Sequence, residues 1–127
     1  MALNNEKSVD FNGMEVECKQ LNIGPASTAT QITSRATGVT IHATSGRITT
    51  DTSSLAAAGE ATFTVTNSTV SATSVPVVAI ASGTVATTQA FVSAVADGSF
   101  AITVANLHAS TAETGTLVIN FVVINGV

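Results

Sequence analysis

The sequence has 127 residues, which is enough for one domain and little more. Only 9% of the residues are charged, and four basic against eight acidic side chains give a net charge of −4. This balance excludes electrostatic binding to nucleic acid or to a membrane surface, because both require clustered Lys and Arg. A hydrophobic content of 45% excludes a chain that is disordered throughout.

The first 27 residues differ from the rest in charge, because half of the twelve charged side chains lie within residues 1–19. Met14, Val16 and Cys18 alternate there with charged residues, which is typical of a strand with one packed face. Pro25 and the small residues after it favour an extended linker. We therefore predict an N-terminal arm and linker over residues 1–27 and a body over residues 28–127.

From about residue 31 onward, apolar and polar residues alternate with period two in short runs separated by turn-forming residues. The runs are rich in Thr, Val and Ile, which fit a pleated sheet and are disfavoured in helices. They include Val39–Ile41, Ala61–Thr66, Val75–Ser82, Ala90–Ala96, Phe100–Asn106 and Leu117–Ile124. The spacing predicts an all-β fold, an antiparallel β-sandwich or jelly-roll-like body of about seven or eight strands.

Two local features stand out between these runs. Asp97-Gly98 joins two alternating runs and predicts a hairpin turn. Residues 53–59, which begin with Ser53 and end with Gly59, are the one candidate for a short helix, because serine can cap and glycine can end a helical turn.

Two of the predicted strands are apolar on both faces, whereas a two-layer sandwich needs only one buried face on each strand. The second faces require a cover, which is either the chain's own loops or another subunit. A chain of this length has little spare loop, which favours association. The residues predicted to form the subunit interface are Val78, Ile80, Val118, Val122 and Ile124.

The sequence contains no recognisable catalytic motif. His42 and His108 have no partner at metal-ligand spacing, so we interpret both as ordinary surface or loop residues. Arg35 and Glu113 stand alone near turns and are predicted to be solvated, and Cys18 is predicted to be a small buried apolar residue. These observations predict a protein that is not an enzyme, with no catalytic residue, no metal and no cofactor.

Several segments of the body together carry a family resemblance. They are Thr30–Ser34, Gly38–Ile41, Gly46–Thr49, Leu55–Ala57, Phe63–Ser68, Gly98–Val104 with Asn106, and Ile119–Ile124. Over about residues 28–127 the pattern resembles a small β-sandwich family found in structural proteins of tailed bacteriophages. Members of that family are capsid decoration (cement) proteins or domains of tail fibres.

The resemblance implies a virion protein on the outer capsid surface, synthesised in the host cytoplasm, with the major capsid protein as its partner. The threefold sites of icosahedral lattices further imply a homotrimer. We expect the arm to dock on the capsid through Val9, Phe11, Met14 and Val16. We expect that the protein binds neither nucleic acid nor a membrane.

The alternative is a tail-fibre or spike module that binds a glycan of the host surface. In that case the loops Ser82–Gln89 and His108–Gly115 would make the contact. The number of copies in each virion separates the two hypotheses, because decoration requires hundreds and a tail part requires a handful.

Overall fold

The computed structural model describes residues 26–125, together with Gly13, Gln20 and Ile23 of the preceding segment. Its elements are eight strands: β1 (Ser27–Thr30), β2 (Val39–Thr40), β3 (Ser45–Thr49), β4 (Glu60–Thr66), β5 (Val75–Ser82), β6 (Thr88–Ala96), β7 (Ser99–Asn106) and β8 (Val118–Ile124). They form two four-stranded sheets, sheet A in the order β1-β3-β8-β5 and sheet B in the order β2-β4-β7-β6. The predicted all-β sandwich is confirmed.

Each sheet is mixed, because β1 pairs with β3 and β2 pairs with β4 in parallel. The first four strands alternate between the sheets, so the connection from β1 to β3 passes through β2 in the opposite sheet. Parallel neighbours require such a crossover. Alternation within one strand carries no information about the direction of its neighbour, and the purely antiparallel prediction is wrong for these two pairs.

The core lies between the sheets and is formed by every second residue of the inner strands. Ile48, Val65, Ile102, Val104 and Ile119 have no exposed surface. Phe100 of sheet B meets Phe121 of sheet A edge to face, with ring centroids 5.3 Å apart and planes inclined by 65°. This geometry is a preferred one for aromatic pairs.

The Asp97-Gly98 hairpin is confirmed: these two residues join β6 to β7, and Ala96 pairs with Ser99. Gly98 has a φ of 77°, a conformation that favours glycine. The Asp97 carboxylate also accepts a hydrogen bond of 2.7 Å from the backbone N–H of Ala72.

The helix predicted over residues 53–59 does not form. Leu55 instead forms an isolated antiparallel bridge with Glu113, with backbone hydrogen bonds of 2.9 and 2.8 Å. Gly59 closes a tight turn by donating to the carbonyl of Ala56. No helix capable of crossing a bilayer is found within the described residues.

Candidate functional site

The outer face of sheet A carries a cluster of exposed apolar side chains. The register of β5 on β8 places Val75 opposite Ile124 and Val77 opposite Val122. Val75, Val77 and Ile124 are 55%, 48% and 55% exposed. These four residues, Val75, Val77, Val122 and Ile124, are called the sheet A patch below.

The patch exists because β8 is apolar on both faces, as the sequence predicted. Ile119, Phe121 and Val123 are buried in the core. Val122 and Ile124 alternate with these residues and therefore point outward. Val118 lies on the same outer face, but the polar Asn120 separates it from the patch.

Two residues predicted for the subunit interface lie on the other side of the sheet. Val78 pairs with Phe121, and Ile80 pairs with Ile119. The side chains of Val78 and Ile80 both pack against the core. The prediction that Val78 and Ile80 belong to the second face is therefore wrong. Both faces of β5 are apolar in sequence, so only pairing with β8 decides which one is buried.

Next to the patch, the outer face of sheet A becomes polar. Thr28, Arg47 and Asn120 lie side by side on β1, β3 and β8, and Nε of Arg47 donates to Oδ1 of Asn120 at 3.2 Å. A groove of about 390 Å³ lies over this polar row. A second groove, of about 220 Å³, lies beside Val77 and Val122.

The predicted capsid-docking residues Val9, Phe11, Met14 and Val16 lie outside the described residues. Ile23 is the last of the described positions before residue 26. The hydroxyl of Ser45 donates a hydrogen bond of 2.9 Å to the carbonyl oxygen of Ile23. Ser45 pairs with Val122, which belongs to the patch.

A second cluster surrounds the carboxylate of Glu113, which has no exposed surface. The carboxylate accepts hydrogen bonds from the backbone N–H groups of Val85, Ala86 and Gly115 at 3.0–3.2 Å. It also accepts one from the hydroxyl of Thr88 at 2.6 Å. Burial alone raises the pKa of Glu113, but these hydrogen bonds outweigh burial and hold the pKa below its ordinary value.

Arg35 is 3% exposed and lies beside Glu113. Its guanidinium donates to the carbonyl oxygens of Ser53, Glu113 and Gly115, and to the hydroxyl of Thr50. Burial lowers the pKa of Arg35, against the opposing effect of the Glu113 and Asp51 carboxylates. The prediction that Arg35 and Glu113 are solvated is wrong, because each is enclosed by loops that use its hydrogen-bonding groups.

Glu113 and Arg35 together join four connecting segments at one end of the sandwich. The loops Ser82–Gln89 and His108–Gly115 are brought together here, since Glu113 in one binds Val85, Ala86 and Thr88 in the other. Every buried side-chain nitrogen and oxygen of the described residues has a hydrogen-bond partner. The cluster therefore has no unpaired buried group to offer a ligand, and its chemistry is that of a structural tie.

The two histidines accept backbone hydrogen bonds, His108 within its own turn and His42 from a loop 26 positions further along the chain. Nδ1 of His108 accepts hydrogen bonds from the backbone N–H groups of Ser110 and Thr111, and Nδ1 of His42 accepts one from Ser68. Over residues 26–125 and the three described positions before them, no group of three or more His, Cys, Asp or Glu side chains could hold a metal ion.

No family model matches the chain, and no curated protein or solved structure is found to be similar to it.

Proposed function

We propose that this chain is a structural protein of a tailed-bacteriophage virion, a capsid decoration (cement) protein that binds the outside of the major capsid lattice and stabilises it. The observation that carries the proposal is the sheet A patch, four neighbouring apolar side chains on the outer face of a sandwich whose core is already filled. A cluster of exposed apolar residues beside polar ones is typical of a protein-contact surface. The sequence resemblance to virion β-sandwich proteins supports the same conclusion.

The outer face of sheet A suits a neutral protein surface better than an ionic one. Arg47 is the one charged side chain in its polar row, and its guanidinium already binds Asn120. Thr28, Ser45 and Thr49 add hydroxyl groups, which can pair with a neighbouring backbone without the desolvation cost of an ion. Repeated over several linked subunits, such modest contacts hold an oligomer firmly on a lattice.

The N-terminal residues Val9, Phe11, Met14 and Val16 complete the proposal as the groups that dock on the major capsid protein. We propose that the protein is a homotrimer. Val118, Val122 and Ile124 of β8 are proposed as contacts between its copies. Val75 and Val77 replace Val78 and Ile80 in that surface, because the first two are the exposed residues of β5.

The number of copies in purified particles of the source phage tests this function. Quantitative mass spectrometry is expected to find hundreds of copies in each particle, in a fixed ratio to the major capsid protein. A handful of copies would support the tail-fibre alternative, in which Ser82–Gln89 and His108–Gly115 contact a host glycan. Complete absence of the chain from purified particles would overturn both.

A further inference from the structure

The chain enters sheet A at the same end as the patch. β1 runs parallel to β3, with Ser27 opposite Gly46, so that Ala26 lies at the Ser45 end of β3. The Ile23 carbonyl accepts the hydrogen bond from Ser45 at this point. In the register of the sheet, Ser45 is followed by Val122 and then by Val77.

The segment that precedes Ile23 is long enough to reach the patch. Two strand spacings separate Ser45 from Val77, which is roughly 10 Å. Cys18 lies five positions before Ile23, and five extended residues span up to about 17 Å. Residues 14–18 can therefore reach every side chain of the patch.

The sequence of this segment matches the chemistry of the patch. Met14, Val16 and Cys18 are apolar and alternate with Glu15 and Glu17. In an extended conformation, the three apolar side chains share one face and the two carboxylates share the other. One face can pack on valine and isoleucine while the charged face stays in water.

We propose that residues 14–18 cover the sheet A patch of their own chain in the free protein, with Met14, Val16 and Cys18 against Val75, Val77, Val122 and Ile124. The short connection to Ile23 gives the segment a high effective concentration at its own patch, which favours it over a second copy. The inference does not depend on the proposed function. In the proposed virion, docking of Met14 and Val16 on the major capsid protein would release them from the patch and leave the patch to contact a neighbouring copy.

Cross-linking from the native Cys18 tests the position of the segment in the full-length chain. The Val77→Cys variant places a second thiol in the patch, and the Thr64→Cys variant places one at an exposed site of sheet B as a matched control. A short bismaleimide added to dilute protein is expected to join Cys18 to position 77 within one chain, at least five times faster than to position 64. Peptide mapping identifies the linked residues. Equal rates at the two positions, or products formed mainly between chains, would overturn the proposal.

A second measurement reports whether the patch is covered. In the full-length chain, the Met14→Ser/Val16→Ser variant is expected to bind severalfold more of a dye that fluoresces on apolar surfaces, because the patch loses its cover. Adding Val77→Ser and Val122→Ser to that variant should return the signal to the level of the unmodified chain. The matched control, Leu3→Ser, removes an apolar side chain of the same segment outside the covering and docking residues and should leave the signal unchanged. An unchanged signal in the Met14→Ser/Val16→Ser variant would contradict the inference, and neither measurement requires a phage particle.

Discussion

Two regions of this sandwich depart from the usual distribution of side chains in opposite ways. At one end Arg35 and Glu113 are buried, with 3% and 0% of their surface exposed. On the outer face of sheet A, Val75 and Ile124 keep 55% of theirs. The buried charges have hydrogen-bond partners within the chain, whereas the apolar groups of the outer face border an open groove at Val77 and Val122. The difference separates a region that stabilises the fold from a surface that is suited to contact with another segment or another chain.

The largest effect is expected from removing the carboxylate at the buried end. Glu113→Ala leaves three backbone N–H groups and the Thr88 hydroxyl without their acceptor. The loss should lower the free energy of unfolding by about 3–5 kcal/mol, measured by urea denaturation. The matched control is Glu60→Gln, at an exposed position of β4, where a change within about 0.5 kcal/mol is expected. Similar small effects at both positions would show that Glu113 is not a structural tie.

Arg35→Lys tests whether the planar guanidinium is needed. Lysine carries one ammonium group and cannot reproduce the fork that reaches Ser53, Thr50 and Gly115 together. We expect a loss of about 2–3 kcal/mol in the free energy of unfolding. Arg47→Lys is the control, since Arg47 is exposed and its guanidinium makes one hydrogen bond within the part of the chain that the structure describes, to Asn120. The loss at this position should stay below about 1 kcal/mol. Equal losses at the two arginines would contradict this account.

Alanine substitutions at Gly83, in the β5–β6 loop, and at Gly98, in the β6–β7 turn, test how tightly each connection is packed. Both have positive φ, 98° at Gly83 and 77° at Gly98, so alanine at either site costs about 1–2 kcal/mol. A Cβ at Gly83 would also overlap the carbonyl oxygen of Thr116, whereas a Cβ at Gly98 meets nothing within 4 Å. Thermal denaturation should therefore show that Gly83→Ala is less stable than Gly98→Ala, by at least about 1 kcal/mol. The reverse order would mean that the β5–β6 loop is not held against residue 116.

The buried carboxylate also predicts a pH dependence. Because the folded-state pKa of Glu113 is lowered, its contribution to stability is complete above the unfolded value of about 4.3. That contribution is lost as the pH falls through the lower, folded-state pKa. The difference in unfolding free energy between the unmodified chain and Glu113→Gln should therefore shrink below about pH 4. Subtracting the two curves removes the effect of Asp51, whose pKa is also lowered, chiefly by hydrogen bonds from Ser53. A constant difference across this pH range would contradict the assignment.

The smallest effect on stability is expected on the outer face of sheet A. Val77→Ser removes an exposed side chain and should change the free energy of unfolding by less than about 1 kcal/mol. Its buried counterpart on the same sheet is Ile119, where substitution by alanine should cost about 2–5 kcal/mol. A large loss at Val77 would show that this valine contributes to the core of the chain rather than to a contact surface.

The sequence correctly predicted the buried face of those strands whose apolar side chains lie on one face only. Phe63 and Val65, and Ile102 and Val104, face the core as their patterns indicate. In β5 both faces are apolar, so the choice between Val77 and Val78 depends on pairing with β8, which lies more than 35 residues away in the chain. The same limit applies to the parallel pairs, whose direction is set by crossovers rather than by local residues.

The buried polar cluster could not be predicted because its partners are distant in sequence. Arg35 and the Gly115 carbonyl that it binds are 80 positions apart. A single charged residue near a turn is normally solvated, and only the folded loops show that these two are enclosed. The one feature of the sequence that hinted at a special role for these charges was their rarity, since charged residues make up 9% of the whole chain.

Binding to capsids tests the central claim, that the outer face of sheet A is a contact surface, most directly. Labelled full-length chain and the Val77→Ser/Val122→Ser variant would be titrated onto capsid shells of the phage proposed as its source, prepared without this protein, after equal thermal stability has been confirmed. We predict that the unmodified chain saturates the shells and that the variant binds at least ten times more weakly. Saturation by both proteins at the same concentration would contradict the claim.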